Sequence, residues 1–145
     1  MSSGFGKVLA IADIPTMIAE AILGLTTNKI LLLLLINILL LFVGAFMETN
    51  AAIIILTPIL LPIVKAVGVS SVHFGMIMIL NLAIGFITPP FGANLFMASE
   101  ISNVKYTTLA KAIWPWIFVM VAVLMLVTYI PQISTFLPQL MGMSV

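Results

Sequence analysis

Cysteine and arginine are absent from this 145-residue chain, and charge of either sign is scarce: five lysines, four acids and one histidine. Without cysteine there can be no disulfide, no thiolate metal site and no cysteine nucleophile. Five lysines scattered singly form no basic run, which excludes a phosphate backbone and so nucleic acid as a partner. Serine and threonine are plentiful but none is paired with a base, and no buried acid–base pair is legible. A hydrolytic enzyme, or any catalytic residue, therefore has no support. The N-terminus shows no charged region followed by an apolar core and a cleavage site, so the helices themselves are expected to direct insertion.

Hydrophobic residues make up 63% of the chain and charged residues only 6%, against about 25% charged in soluble domains. Water alone would not keep such a surface dissolved. No acidic or basic side chain except His73 lies between Lys65 and Glu100, and none comes after Lys111. Those stretches exceed the roughly 20 apolar residues that cross a bilayer's hydrocarbon core. The expected class is an all-α integral membrane protein.

Three portions can be drawn along the chain. In 1–28, residues 7–25 read as a weakly amphipathic interfacial or arm helix, with Asp13 and Glu20 on one face and Pro15 as a kink. Asn28 is placed to cap the next helix. Residues 29–66 read as a helical hairpin with its tip at 47–50. Its first arm is interrupted only by Asn37, and its second run, 51–64, is broken by Pro58 and Pro62. A run of about 14 residues favours a re-entrant segment; the competing reading is a full crossing at 30–47 with the tip in water. In the hairpin reading the two arms are antiparallel neighbours. Residues 67–145 hold a helix broken in two (73–100), a last span (108–130) with Trp114 and Trp116 near an interface, and a tail from 131 polar enough to leave the bilayer.

The break is the most informative feature. Pro89 and Pro90 carry no N–H, so the carbonyls of Gly85 and Phe86 lose their helical donors, and proline pushes Thr88 out of the helical region. In hydrocarbon such carbonyls persist only where protein, water or an ion satisfies them. Asn81, Gly85 and Thr88 share a face, Gly92 admits a close backbone, and a fresh helix near Asn94 offers its N-terminus. One half-helix would face a cation and the other an anion, as in discontinuous transporter helices. The competing reading is a proline kink relieved by neighbouring helices. The tip repeats the logic: Thr49 or Asn50 can cap a helix starting at Ala51, and Glu48 is either an acid at membrane depth or an interfacial glutamate facing water. His73 reads as a cap or an interfacial residue, Asn37 as helix–helix glue, and the methionines as core filler.

METNAAIIILTPILLPI, followed by HFGMIMILNLAIGFITPPFGANLF, resembles the C-terminal portion of the large permease (M) subunit of TRAP (tripartite ATP-independent periplasmic) transporters, from about residue 4 to 138. The tip and the TPP break also resemble the wider ion transporter superfamily, although the tip's Glu48-Thr49-Asn50 departs from that superfamily's Ser-Asn-Thr order. The resemblance implies the second inverted repeat of an elevator-type transporter: arm helix, re-entrant hairpin, discontinuous helix and final span. It implies sodium at Gly85, Thr88, Phe91 and Asn50, and the substrate anion at Glu48, Thr49, Asn50, Asn94 and Gly92. It implies no cofactor beyond sodium as coupling ion. The implied partners are a small membrane subunit, a periplasmic substrate-binding protein and the remainder of the large permease, in a bacterial inner membrane. Only a second repeat is present here, so a fragment or a split or truncated gene product is expected. A non-transporting membrane assembly subunit is the alternative.

Overall fold

The computed structural model describes residues 28–142, all of whose regular elements are helices; the expected arm helix at 7–25 lies outside them. In chain order the helices are α1 (Lys29–Phe46), α2 (Thr49–Ala66), α3 (Ser71–Gly85), α4 (Ala93–Ser102), α5 (Tyr106–Ala112), α6 (Trp114–Tyr129) and α7 (Gln132–Leu140). By length and composition α1 and α2 are each apolar enough to cross a membrane, and the bent pair α5–α6 makes a third candidate. The chain is a membrane protein.

Asn28 caps α1 as expected, its side chain accepting the Ile30 N–H at 3.0 Å. The buried residues Leu33, Ile36, Asn37, Leu40 and Gly44 recur at helical spacing and face one way. Two expectations for α2 are corrected. It begins at Thr49 rather than Ala51, and its cap is Glu48, not Thr49 or Asn50. It also runs unbroken for 18 residues through Pro58 and Pro62, so the short run that favours a re-entrant segment is not its true length. Ile54, Pro58 and Pro62 are all exposed, so the two missing hydrogen bonds fall on the outward face while Ala52, Ile59, Leu60, Ile63 and Val64 pack inward.

The arms of this hairpin touch each other sparingly; each packs chiefly against α3. This also differs from the expected side-by-side arms. Leu32, Ile36 and Leu40 of α1, Leu60, Ile63 and Val64 of α2, and Phe74, Ile77 and Leu82 of α3 form one core. A smaller cluster of Ile84, Ile117 and Leu124 joins α3 to α6. Helix α3 is therefore the hub. Glycines permit its closest approach: a Cβ on Gly85 would lie 2.7 Å from the Gly44 carbonyl carbon and 2.7 Å from the Leu41 oxygen. Small residues at such a crossing are what membrane helices use to bring backbones together.

The expected last span, 108–130, is divided at Ile113, where α5 and α6 meet at a 44° bend. Pro115 explains it: its ring clashes with the carbonyl four residues back, and proline is favoured in the first turn of a new helix. In the tail, Gln132–Leu140 form α7, which packs on α3 with Ser134 and Thr135 buried.

Candidate functional site

The broken helix occurs where expected, with α3 ending at Gly85 and α4 starting at Ala93. Of the partners expected for the carbonyls freed by Pro89 and Pro90 (protein, water or an ion), protein donors in and beside the loop supply most. Gly85 O accepts from the Thr88 N–H at 2.9 Å and Phe86 O from the Asn94 N–H at a long 3.4 Å. Ile84 O takes the Thr88 hydroxyl at 2.6 Å. Thr88 O accepts from the Gly92 N–H at 2.9 Å, and the Tyr106 hydroxyl donates to Pro90 O at 2.7 Å. Among the described residues, no donor reaches the Ile87 carbonyl. Gly92 does what a residue without Cβ is needed for, since a Cβ there would lie 2.8 Å from the Ile87 carbonyl carbon.

Beside the loop lies a cavity of about 340 Å³ walled by Leu41, Phe42, Ala45 and Phe46 of α1 and by Thr88, Pro89, Pro90 and Phe91. Phe91 is half exposed, and its ring sits 4.3 Å, centroid to centroid, from that of Phe46. The end of α1 and the break are thus brought together. Thr88 supplies the single polar side chain of the wall.

The tip is arranged differently from expectation. Glu48 is exposed; its carboxylate accepts from the Asn50 N–H at 3.0 Å, the Ala51 N–H at 3.1 Å and the Asn50 side-chain amide at 2.8 Å. The N–H groups expected to greet an anion are already held by this carboxylate. Thr49 is half-buried, while Asn50 and Asn94 are exposed. Among the described residues no hydrogen bond joins the tip to α4, and the Asn94 N–H points back to Phe86. Gly85 is buried at the crossing with Gly44.

Sequence reasoning misses a buried polar chain along α3. His73 is not a cap, a role that belongs to Ser70, whose hydroxyl accepts the His73 N–H at 3.2 Å. Its ring is buried, bonded through Nδ1 to the Ser134 hydroxyl and through Nε2 to Thr128 O. The Thr128 hydroxyl accepts from the Asn37 amide at 3.1 Å, and Asn37 Oδ1 accepts from the Asn81 amide at 2.6 Å. Asn81 also donates to Ile77 O at 2.7 Å, and its own Oδ1 is buried without a partner among the described residues. Asn37 is interhelical glue as expected. Lone polar residues inside apolar runs are the available signal, but their pairing crosses up to 91 positions of sequence.

A family model described as the tripartite ATP-independent periplasmic transporter, DctM component, matches residues 2–133. The chain is 58% identical over 136 residues, 94% of its length, to the isethionate TRAP transporter permease protein DctMQ of Oleidesulfovibrio alaskensis, of which it covers 21%. It is 42% identical to the sialic acid TRAP transporter large permease protein SiaM of Vibrio cholerae, over 94% of this chain and 32% of that protein. To the C4-dicarboxylate TRAP transporter large permease protein DctM of Rhodobacter capsulatus it is 40% identical, over 96% of this chain and 32% of that protein. The chain thus spans about a fifth to a third of these curated relatives. A broken hub helix, apolar helices of membrane length and a match over nearly the whole chain converge: it belongs to the DctM component family of tripartite ATP-independent periplasmic transporters.

Proposed function

We propose that this chain forms part of a sodium-coupled permease importing organic acid anions across the bacterial inner membrane. In this reading it is the second inverted repeat of an elevator-type mover, working with the remainder of the large permease, a small membrane subunit and a periplasmic binding protein. The relatives' names support the substrate class. Isethionate, sialic acid and C4-dicarboxylates are all small anions at neutral pH. The observation that carries the reading is the break, where the Ile87 carbonyl has no donor among the described residues and Thr88 is the polar side chain of the adjoining cavity.

An acceptor of this kind in a low-dielectric setting is a ligand for a small cation. The geometry favours Ile87 O and the Thr88 hydroxyl as sodium ligands over Gly85 O, which Thr88 N–H already occupies. The cavity walls are otherwise apolar and Glu48 occupies the tip's N–H groups. Anion-binding donors would therefore come from the part of the permease that this chain does not span, or from the tip once Glu48 releases it.

Thr88→Val tests the reading in the complete permease assembly reconstituted into liposomes. The expected outcome is loss of sodium-dependent uptake at unchanged expression, with the apparent sodium affinity falling first. Undiminished uptake with wild-type sodium dependence would instead assign the break to helix packing.

A further inference from the structure

Helix α7 is amphipathic the wrong way round for a surface in water. Its small polar residues Ser134 and Thr135 are turned into the bundle at 7% and 8% exposure, while Gln132 and Gln139 stay exposed. Its outer face carries Ile133, Phe136, Leu137 and Leu140, from 53% exposed at Ile133 to 73% at Leu140. Such a face is stable against hydrocarbon and is long enough for acyl chains to lie along it.

Next to α7 is a cavity of about 180 Å³ whose lining includes Lys29, Ser70, His73, Thr135 and Gln139, with Val69 as an apolar wall. No acidic side chain lines it. Several donors there are not fully used. Lys29 spends one of its three N–H groups on Gly68 O, at 3.3 Å. The Ser70 hydroxyl accepts the His73 N–H, which leaves its own proton to give. The Gln139 amide has no partner among the described residues. His73 and Thr135, by contrast, are already engaged with Ser134, Thr128 O and Pro131 O. A second lysine, Lys65, lies at this same end, where its carbonyl accepts from the Gly68 N–H.

We infer that this end of the bundle is a phospholipid site. The phosphate of an anionic headgroup sits in the cavity against Lys29, Ser70 and Gln139, and the acyl chains run along the outer face of α7. One molecule answers both features: a polar cavity with spare donors and positive charge, and an apolar helix face that begins at its rim. An ammonium and two neutral donors suit a phosphate oxyanion, and a juxtamembrane lysine is attracted to anionic lipid. The inference is independent of transport, since it concerns the end of α3 remote from the break.

The test uses the purified chain in neutral detergent, with bound lipid counted by native mass spectrometry. The probes are dioleoyl phosphatidylglycerol, dioleoyl phosphatidylcholine and inorganic phosphate. Wild type is expected to retain one phosphatidylglycerol in preference to phosphatidylcholine. Lys29→Gln should weaken retention by about five- to tenfold, the contribution of one cation near a membrane surface. Lys29→Arg should restore it, Lys111→Gln should leave it unchanged, and Gln139→Leu, at an exposed position that does not threaten folding, should weaken it less. Equal retention by wild type and Lys29→Gln at matched helicity overturns the site. Displacement of the lipid by inorganic phosphate at equal concentration overturns the lipid assignment, because it would show that the acyl chains contribute nothing.

Discussion

Along α3 from His73 to Asn81, buried polar groups reach across to other helices, whereas past Gly85 most of the polar groups close on their own loop. The first arrangement joins α1, α3, α6 and α7 through Asn37, Asn81, Thr128, His73 and Ser134. Separating those helices would leave buried amides and a buried imidazole unpaired, each a cost of about 1–3 kcal/mol. The second arrangement uses local bonds from Thr88, Gly92 and Asn94, which survive if the loop shifts as a unit. The difference teaches where movement can occur cheaply: around the break, and not through the amide chain.

The largest expected effect probes the point where the two regimes meet. At Gly85 the loop begins, yet the residue is fixed by another helix, with Gly44 and Leu41 backbone atoms 2.7 Å from where a Cβ would stand. Gly85→Ala must push α1 from α3 and should destabilise the fold by roughly 3 kcal/mol, the upper range for overpacking. Gly75→Ala is the matched control, because nothing lies within 4 Å of its Cβ position; it should be neutral or gain up to about 1 kcal/mol from helix propensity. Chemical unfolding in detergent, followed by circular dichroism, separates them. Equal midpoints would show that the crossing is not the tight point.

A smaller effect tests the amide chain. Asn37→Leu removes the bonds to Thr128 and Asn81 and strands polar atoms in the core, at a cost of about 1–2 kcal/mol. Adding Asn81→Leu should return part of that loss, because both partners are then apolar and the buried Asn81 Oδ1, unpaired among the described residues, is gone as well. A double-mutant cycle measures the coupling; strictly additive losses would mean that the two amides do not depend on each other.

Much of this architecture is legible in the amino-acid sequence because it arises from local chemistry. Pro89-Pro90 dictates the break, Asn28 the start of α1, and the long uncharged runs the membrane helices. What escapes is partly local chemistry that reads ambiguously and partly tertiary contact. Glu48 outcompetes Thr49 and Asn50 as a cap because its longer side chain reaches two N–H groups at once. The α5–α6 bend needs only Pro115, which is visible in the sequence but sits in an apolar run that reads as continuous. His73 finds Ser134 sixty-one positions away, a pairing that no local pattern encodes, and α7 turns Ser134 inward, where His73 receives it. The resemblance implies that the tip and the break share one ligand site; the Phe46–Phe91 contact and its cavity bring the end of α1, next to the tip, to the break.

The smallest expected effect asks how tightly the break loop is held. Tyr106 reaches it from α5, donating to Pro90 O at 2.7 Å while its ring stacks on Phe96 of α4 with centroids 4.4 Å apart. Tyr106→Phe keeps the stacking and deletes the hydrogen bond, so the global cost should be only about 0.5–1 kcal/mol. Its local consequence is more specific. The Gly92 and Asn94 amides, bonded to Thr88 O and Phe86 O within the loop, should exchange with solvent deuterium faster by about three- to fivefold. The amides of α1 around Asn37 should not change. If exchange rises equally in both places, the loop and the amide chain open as one cooperative unit and the contrast between the two ends of α3 fails. If it rises only at the loop, the phenol is a strap on the adaptable end, and its removal loosens the backbone around Thr88 without touching the tie that holds the helices together.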